Sequence, residues 1–554
     1  MVVTFLAGVV AGAPGRFCNH LKISVFQGAN NHQHHDMASL NNKNHFFPLN
    51  VLIITSENVF KPSFRLRLGY FLDRLKDQKR VEYYVNDVSR YSKADIIIIH
   101  KEAATLTPDL VRLMIDHPKP VIYETDDLIQ QRPLHRTSNC LVTAKQRLLG
   151  SWNAAFIVST SYLADKMKIY SEDVSVIYNA PPFAFNVARC AEATDPRLVC
   201  FIGTPSHSPD FALMGNALER VAEKHSKIRY LFIGAAPSRG IREKIPIEIC
   251  PFNADYHAAL DVFHSRKPAV GLAPLLDNPY NRSKSVIKYI DYTHAGTVGI
   301  YSDIVTYRGI EGGVLVKNTP DKWYEGICRL IENPELRFQL YKNAVEDIKA
   351  RFSFKVESER FADILERVAA TKPLSSEARK KEAIRLTRLV KDSGQTAEFL
   401  EYVRLFYPAY LKGHIAAREI PAAIAKTADK NSLSINLIAD VMKVVGETDE
   451  LKALQKSLIN HFITRPYSSV KNMELEMYRF ASKAKASSAF TKAMPIFERI
   501  LQKSSETEMS AGAAFHLGEI ALAAAEKNFA ECLARNPGHL KARKYLEIMT
   551  SKSN

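Results

Sequence analysis

The chain has 554 residues, of which 46% are hydrophobic and 24% are charged. This length predicts about three or four domains, and the composition excludes a mainly disordered chain, a collagen-like fibre and a small disulfide-stapled protein. Lysine and arginine outnumber aspartate and glutamate by 75 to 59, which leaves a formal net charge of +16. Such a balance suits nucleic acid, an anionic membrane surface or a phosphorylated substrate as a partner.

The densest basic run is Arg379-Lys380-Lys381, which lies on a predicted helix and has no interleaved aromatic residues. We interpret this run as a solvated helix face and predict no nucleic-acid partner. No apolar run reaches the roughly 20 residues of a membrane span. The seven cysteines include no Cys-x-x-Cys pair, which favours a reducing compartment. We therefore expect a cytoplasmic protein with at most peripheral contact at the inner face of a membrane.

Residues 1–48 precede the first clear structural pattern. Their apolar start is short and lacks a positively charged flank, so a disordered leader is favoured over a signal peptide. Met37 lies just before the folded pattern and is an alternative start of translation. His32, His34 and His35 are interpreted as part of a polar tail rather than as a metal site.

Apolar strand runs alternate with amphipathic helical runs from residue 49 to 185, which is typical of a doubly wound parallel sheet. The predicted strands of this N-terminal domain are 49–55, 81–85, 95–100, 120–123, 155–159 and 174–178. Asn179-Ala180-Pro181-Pro182 then ends the pattern, because proline and small polar residues favour a loop.

The same alternation restarts after a short linker and predicts a second Rossmann-like domain over residues 196–351. Its predicted strands are 198–203, 228–234, 267–273, 297–301 and 313–316. Residues 352–372 are expected to form a helix that crosses back to the first domain. The predicted fold class is thus α/β, with two Rossmann-like domains followed by an all-α region.

That all-α region, residues 376–554, has helical periodicity and almost no strand signal. The segments that begin at Phe497 and Phe529 resemble each other, and the second is followed by Asn536-Pro537. This spacing resembles tetratricopeptide helix pairs, although the stretch from Gly518 to Phe529 is short for the turn between paired helices. A generic helical bundle is the equal alternative.

The most informative segment for chemistry runs from residue 278 to 303, where a polar loop enters a helix and then a strand. Arg282, Lys284 and Lys288 cluster at the expected start of this helix. A helix N-terminus with added cations suits a diphosphate. Asp291 lies seven residues after Lys284, so two helical turns would place both on one face, with the carboxylate available to ribose hydroxyls. An ordinary solvated amphipathic helix is the alternative.

This segment resembles the donor-binding region of GT-B glycosyltransferases, particularly the family 4-type enzymes. Those carry two acids eight positions apart, and Asp291 matches the second acid while Ser283 occupies the position of the first. The run from Lys284 to Tyr292 matches the Lys-Ser-x-x-Lys-x-x-(Glu)-Tyr variant of some bacterial relatives. The resemblance extends over residues 49–370, because four further segments occur in the expected order: 123–128, 176–180, 201–205 and 352–354.

The resemblance implies a hexosyltransferase-type enzyme that moves a sugar from a nucleotide-diphosphate sugar to a hydroxyl acceptor. It implies retention of anomeric configuration, a role in glycan or polysaccharide biosynthesis, and no required metal or other cofactor. The residues expected to bind the donor are Gly203, Thr204, Arg282, Ser283, Lys284, Lys288 and Asp291. The loop after Gly203 lacks the usual Arg/Lys pair of the family, so phosphate neutralisation is expected mainly from Lys284.

Three residues of the first domain are candidates for catalysis. Asp126 and Asp127 follow a predicted strand and are suited to orienting the acceptor or taking its proton, with helix capping as the alternative. His100 ends the predicted strand 95–100 and is a candidate base or hydrogen-bond partner of the sugar, with a structural histidine as the alternative.

Two other functions stay open at this point. A sugar-nucleotide epimerase or phosphorylase uses the same architecture, and a non-catalytic scaffold would explain the half-present acidic motif. The expected partners are a nucleotide sugar and a glycan, lipid-linked or protein acceptor. A protein partner held by residues 376–554 is a further expectation.

Overall fold

The computed structural model describes residues 48–101, 106–131, 136–185, 195–416, 419–425, 435–465, 474–486, 489–504, 507–535, 537 and 540–551. The predicted leader and the residues His32, His34, His35 and Met37 lie outside these ranges, apart from residue 48 itself.

The first half of the α/β region is built on a six-stranded sheet in which every neighbouring pair is parallel. Its strands are β1 (Leu49–Thr55), β2 (Val81–Val85), β3 (Ile96–His100), β4 (Val121–Thr125), β5 (Ala155–Val158) and β6 (Val174–Val176). The spatial order is β2-β1-β3-β4-β5-β6, so the direction of winding reverses between β1 and β3. In open α/β sheets such a reversal marks the ligand site at the carboxyl ends of the strands.

The helices of this half pack on the two faces of the sheet. They are α1 (Pro62–Phe64), α2 (Tyr70–Asp77), α3 (Pro108–Asp116), α4 (Arg136–Ser151) and α5 (Ser161–Met167), with a π-helical turn at Arg65–Gly69 and 3₁₀ turns at Val88–Lys93 and Ile129–Gln131. The start of α3 follows from local chemistry, because Thr107 accepts a hydrogen bond from the Leu110 amide and Pro108 occupies the first turn.

The second half repeats this architecture with another parallel six-stranded sheet. Its strands are β7 (Asp195–Ile202), β8 (Arg229–Ile233), β9 (Ile247–Cys250), β10 (Pro268–Ala273), β11 (Val298–Ser302) and β12 (Val314–Val316). The spatial order is β12-β11-β10-β7-β8-β9, which is the strand order of dinucleotide-binding Rossmann folds. Its winding reverses between β7 and β10.

The remaining helices follow the strands of the second half and then form the helical region. They are α6 (Ala217–Lys224), α7 (Arg239–Arg242), α8 (Tyr256–Arg266), α9 (Pro279–Arg282), α10 (Ile287–His294), α11 (Pro320–Glu332), α12 (Pro334–Arg351), α13 (Phe354–Ala369), α14 (Ser376–Asp392), α15 (Thr396–Phe406), α16 (Glu419–Ala425), α17 (Ile435–Val445), α18 (Asp449–Thr464), α19 (Glu474–Ala486), α20 (Phe490–Lys503), α21 (Thr507–Arg535) and α22 (Leu540–Ser551). A 3₁₀ stretch spans Pro205–Met214 and a π-helical turn spans Tyr407–Leu411. The predicted class, two Rossmann-like α/β halves followed by helices, is confirmed.

Alternate residues of the first sheet enter different cores, as the period of two in a strand requires. Val51 and Ile53 pack with Phe361 of α13, on the face covered by the helix that returns from the second half. Leu52 and Ile97 belong to the opposite core. That core continues through the helical region, so the helices after residue 376 are packed against the first half.

The interpretation of Arg379-Lys380-Lys381 as a solvated face is wrong for Arg379. Its side chain is buried and donates to the carbonyl oxygens of Met114 at 2.8 Å and Lys119 at 2.7 Å. Its guanidinium also lies over the ring of Trp152, 5.0 Å from the centroid. Arg379 is therefore part of the contact between the helical region and the first half.

The elements of the second half between β8 and β10 were absent from the sequence prediction, namely α7, the edge strand β9 and α8. Strand β9 is short and mostly exposed, so it lacks the apolar run that identifies a buried strand. Helix α8 matters for the site below, because it begins at Tyr256 after the cap Asp255.

The tetratricopeptide resemblance is not confirmed. Residues Gly518 and Phe529, between which paired helices would turn, both lie within the single helix α21. Among the described residues, no helix combines the length and the apolar character that crossing a membrane requires.

Candidate active site between the two sheets

The carboxyl ends of β3 and β4 present a cluster of charged residues next to the reversal point of the first sheet. Lys101 follows β3 in a left-handed backbone conformation, with φ of 60°. Its Nζ lies 2.7 Å from Oδ1 of Asp126 and 3.2 Å from Oδ2 of Asp127. The sequence predicted both aspartates at this edge. The structure shows in addition that Lys101 pairs with both of them.

Three consecutive residues of the second half, Ser283 to Ser285, contact the first half. The Oγ of Ser283 accepts a hydrogen bond from the Leu128 amide at 3.0 Å, and its carbonyl oxygen accepts one from Thr160 Oγ1 at 3.1 Å. Ser285 Oγ accepts one from Asn179 Nδ2 at 2.7 Å. The segment expected to bind the donor is therefore also a contact between the two halves.

Lys284 is the middle residue of this segment and carries its positive charge into the junction. Its Nζ lies 3.5 Å from Oδ1 of Asp127 and 4.6 Å from the ring centroid of Tyr280. Asp127 thus lies between Lys101 of its own half and Lys284 of the other half. The two lysines and two aspartates form a nearly balanced charge cluster, which we call the junction cluster.

Burial and pairing shift the titration of the junction cluster. Burial raises the pKa of Asp126, although Lys101 opposes this. Burial lowers the pKa of Lys101, but Asp126 and Asp127 outweigh it and hold that pKa well above its usual range. Burial lowers the pKa of Lys284 too, but Asp127, Tyr280 and Asp126 together outweigh burial and raise it. Both lysines are consequently charged at neutral pH and suited to binding an anion.

His100 is the last residue of β3 and is fully buried. It stands opposite Glu124 of β4 in the ladder, so the two side chains lie on the same face of the sheet. Nδ1 of His100 lies 2.5 Å from Oε2 of Glu124, and Oε1 of Glu124 accepts a hydrogen bond from Nε of Arg67 at 2.6 Å. All three side chains have zero exposure.

A second cluster lies at the reversal point of the second sheet, around Lys288 on α10. Its Nζ lies 3.1 Å from Nε2 of His207, whose Nδ1 lies 2.9 Å from Oδ2 of Asp210. Burial, with the charge of Lys288, lowers the pKa of His207 to about 3, so this ring is neutral. Burial and the charge of Lys284 lower the pKa of Lys288 to about 8. The neutral His207 ring therefore adds no positive charge beside Gly203, and Lys288 supplies the charge there.

Asp291 lies on α10, facing α8. Its Oδ1 accepts a hydrogen bond from the hydroxyl of Tyr256 at 2.5 Å. Burial raises the pKa of Asp291 to about 7, although Tyr256 and Lys288 oppose the shift. Helix α10 begins at Ile287, so Lys284 precedes it and the predicted two-turn relation between Lys284 and Asp291 does not hold. Lys288 is the lysine whose charge acts on Asp291.

The remaining predicted residues differ in how close they come to these clusters. Gly203 follows β7, where an added Cβ would lie 2.8 Å from the Phe201 ring and 3.1 Å from the His207 ring. The Oγ1 of Thr204 pairs with Ser206 Oγ at 2.7 Å. Arg282 forms a bidentate ion pair with Asp277 on the surface, with hydrogen bonds of 2.6 and 3.0 Å. Its guanidinium is therefore paired locally and not with the residues of either cluster.

Sequence reasoning missed Arg67, the role of Glu124, and the partners Tyr256 and Asp210. A signal existed for Arg67, because it lies between Leu66 and Leu68 in an apolar helical run, where a charge needs a buried partner. Tyr256 had no such signal, since the helix that carries it was itself not predicted.

One group of metal-ligating side chains occurs among the described residues, away from the junction cluster. His225, Cys328 and Glu332 have ligand atoms within 4.8 Å of one another. The ammonium group of Lys224 lies 2.6 Å from Oε1 of Glu332 and competes for that carboxylate. At the junction, the carboxylates of Asp126 and Asp127 are likewise paired with lysines.

No family model matches the chain, and no curated protein matches it. Among solved structures, similar ones include an α,α-trehalose-phosphate synthase (UDP-forming) from Burkholderia vietnamiensis, with a TM-score of 0.42, 12% identity, and coverage of 59% of this chain and 98% of that chain. A sucrose-phosphate synthase from Thermosynechococcus elongatus has a TM-score of 0.40 and 13% identity, and the match covers 55% of this chain and 79% of that chain. TarM has a TM-score of 0.36 and 13% identity, and the match covers 50% of this chain and 55% of TarM. This chain therefore spans about half the length of TarM. Because these TM-scores and identities are low, the function proposed below is argued from the residues of this chain.

Proposed function

We propose that the chain is a glycosyltransferase that moves a sugar from a nucleotide-diphosphate sugar to a hydroxyl acceptor. The observation that carries the proposal is the junction cluster. A buried lysine of the first half and a half-buried lysine of the second, both charged, meet an acidic pair where the carboxyl ends of two Rossmann-like sheets face each other. Ligands of such sheets bind at this edge.

The donor lies mainly on the second half in this proposal. Lys284 and Lys288 neutralise the diphosphate, and the tight turn at Gly203 and Thr204 lets the backbone approach the phosphates. Asp291 contacts the ribose hydroxyls. Ser283 and Arg282 contribute less, because Ser283 is engaged with the first half and Arg282 with Asp277.

The acceptor enters from the first half, near Asp126, Asp127 and His100. In the reaction the bond between the anomeric carbon and the phosphate oxygen breaks, and a bond from that carbon to the acceptor oxygen forms. The electron pair leaves with the diphosphate, which the lysines stabilise, and the acceptor proton passes to a base at the carboxyl edge of the first sheet. Retention of configuration, a role in glycan biosynthesis and independence from metal are part of the proposal through the family resemblance.

The helical region extends the first half, because its core is continuous with one face of the first sheet. Lys145 of α4 pairs with the buried Glu401 of α15 at 3.1 Å, and Tyr402 donates to the Ala144 carbonyl oxygen at 2.7 Å. We propose that this region serves the acceptor side, by holding a glycan, lipid-linked or protein acceptor or a protein partner.

The test is a thermal-shift screen of the full chain against UDP, GDP, ADP and CMP and their common sugar conjugates, followed by mass spectrometry of products. A ligand at a hundredfold excess over its dissociation constant stabilises the native state by about 2.7 kcal/mol. A selective shift and a new glycosidic bond support the proposal. An altered free nucleotide sugar would instead identify an epimerase. No shift with any nucleotide in folded protein would overturn the proposal in favour of a scaffold.

A further inference from the structure

We propose that Glu124 is a positioning residue that fixes His100 in one tautomer, with the proton on Nδ1, so that Nε2 is presented to a substrate hydroxyl as a hydrogen-bond acceptor. The role of the substrate rests on the function proposed above. The tautomer itself is a property of this chain and is measured without any substrate.

The first step in the argument is the chemistry of the Glu124 carboxylate. A carboxylate only accepts hydrogen bonds, so the atom that faces it must carry the proton. Oε2 of Glu124 lies 2.5 Å from Nδ1 of His100. Burial raises the pKa of Glu124, but the charge of Arg67 and the hydrogen bonds from His100 and Arg67 oppose burial, and this pKa lies below its usual value. Glu124 is therefore ionised at neutral pH, and Nδ1 donates to it.

The second step is that Arg67 prevents Glu124 from turning away. Nε of Arg67 donates to Oε1 at 2.6 Å, while its Nη1 donates to the Ile177 carbonyl oxygen at 2.5 Å and to Asn179 Oδ1 at 2.8 Å. A guanidinium held at several atoms is a rigid partner. The orientation of Glu124, and through it that of His100, is thus set by Arg67 and by the segment of Ile177 and Asn179 that holds Arg67.

The third step concerns the other nitrogen of His100. Among the described residues, Nε2 of His100 is a buried side-chain atom without a hydrogen-bond partner. Buried polar atoms are nearly always paired, and an orphaned one requires an explanation. In a neutral ring protonated on Nδ1, Nε2 carries a lone pair. A hydroxyl that donates to it completes the pairing, and substrates of the proposed reaction are rich in hydroxyls.

Arg67 and Glu124 already form a complete ion pair without the ring. His100 is the last residue of β3 and is followed directly by Lys101 of the junction cluster, so its backbone lies at the edge where the reaction is proposed.

The experiment records histidine-selective ¹⁵N spectra of the full chain at neutral pH, with the His100 signals identified by their loss in His100→Gln. We expect an unprotonated Nε2 and a protonated Nδ1 in the wild type. A wild type protonated on Nε2 would overturn the proposal, and this outcome requires no variant at Glu124.

The variant Glu124→Gln is expected to show the opposite His100 tautomer. Its amide has one acceptor oxygen, which Arg67 claims, so the NH₂ group faces Nδ1 and forces the proton to Nε2. The His207 signals serve as the internal control, since that ring faces Asp210. An unchanged His100 tautomer in folded Glu124→Gln would contradict the proposal. Glu124→Asp keeps an acceptor-only group and is expected to retain the wild-type tautomer.

Kinetics separate this inference from the proposed function. Once a donor is identified, Glu124→Gln is expected to lower kcat by about 10²-fold with the donor KM within twofold, because the acceptor atom is lost while the donor contacts remain. An unaltered kcat alongside an inverted tautomer would refute the role of Nε2 in the reaction. No nucleotide binding in the wild type would refute the proposed function and leave the tautomer result standing.

Discussion

The two sheets hold their polar residues in different ways. His100 and Glu124 of the first half are strand residues paired by ladder register, with Nδ1 of His100 2.5 Å from Oε2 of Glu124. The other carboxylate oxygen of Glu124 accepts a hydrogen bond from Arg67 at 2.6 Å. Lys284 and Lys288 of the second half lie in a loop and a helix, and Lys284 reaches Asp127 across the junction at 3.5 Å.

This difference separates a preformed site from an adjustable one. Strand register is fixed as soon as the sheet folds, so the geometry of His100 needs no ligand. The Lys284 contact joins a loop of the second half to a loop of the first, and in the proposed reaction a diphosphate replaces Asp127 there. We therefore expect replacement of Arg67 to appear mainly in stability, and replacement of Lys284 mainly in ligand binding.

The largest expected effect is on the free energy of unfolding of Arg67→Leu. The change leaves Glu124 buried without its cation, and breaking a buried pair costs about 3–5 kcal/mol. Denaturant unfolding measures it. Arg65→Leu is the matched control, because its partner Asp73 is 40% exposed and such pairs contribute about 1 kcal/mol or less. Equal effects of the two changes would show that burial of the pair of Arg67 and Glu124 adds nothing to its contribution to stability.

The next effect is a pH dependence at Asp291. Its folded-state pKa of about 7 exceeds its usual 3.8, so the folded chain keeps a proton that the unfolded chain has lost between those values. The free energy of unfolding therefore falls as pH rises through this window. Asp291→Asn has no titrating group at this position and so lacks this loss. We expect the free energy of unfolding of the variant, relative to that of the wild type, to be about 2–3 kcal/mol higher at pH 7 than at pH 5.

Denaturant unfolding at both pH values provides the measurement for Asp291. The exposed Asp261 on α8 supplies the control, since Asp261→Asn is not expected to change stability differently at the two pH values. A pH-independent difference between Asp291→Asn and the wild type would show that Asp291 is ionised throughout this range.

A smaller effect is expected in ligand binding when Lys284 is replaced. Lys284→Ala should weaken binding of the nucleoside diphosphate by about 10–100-fold, the range of a charge-assisted hydrogen bond. Calorimetric titration measures the dissociation constant. Arg282→Ala, two residues away and paired with Asp277, should stay within twofold. If both variants lost affinity equally, the charge of the segment rather than the placement of Lys284 would be responsible.

The smallest effect has the opposite sign. Asp127 pairs with Lys284 in the ligand-free chain, so Asp127→Asn should strengthen diphosphate binding by about two- to fivefold. Asp126→Asn, whose lysine contact is Lys101, should change it less. Weaker binding in Asp127→Asn would mean that the carboxylate assists the ligand instead of competing with it.

Much of the fold was predictable, because it depends on local patterns. Apolar runs identified 11 of the 12 strands, and only β9, which is mostly exposed, escaped notice. Part of the site was also predictable, since polar residues that follow buried strands must lie at one edge of a parallel sheet. His100, Asp126 and Asp127 were found in this way. The partners Arg67 and Tyr256 were not, because they are 57 and 35 residues distant in sequence from the carboxylates they contact.

The sequence by itself determined the two α/β halves, the helical region and the segment that carries Lys284, Lys288 and Asp291, since periodicity and residue type act over a few positions. Only the tertiary structure decided that Ser283 joins the halves and that Arg379 is buried. It also decided that Glu124 holds His100. Each of these depends on which distant segment supplies the partner of a buried polar group, and no local pattern records that choice.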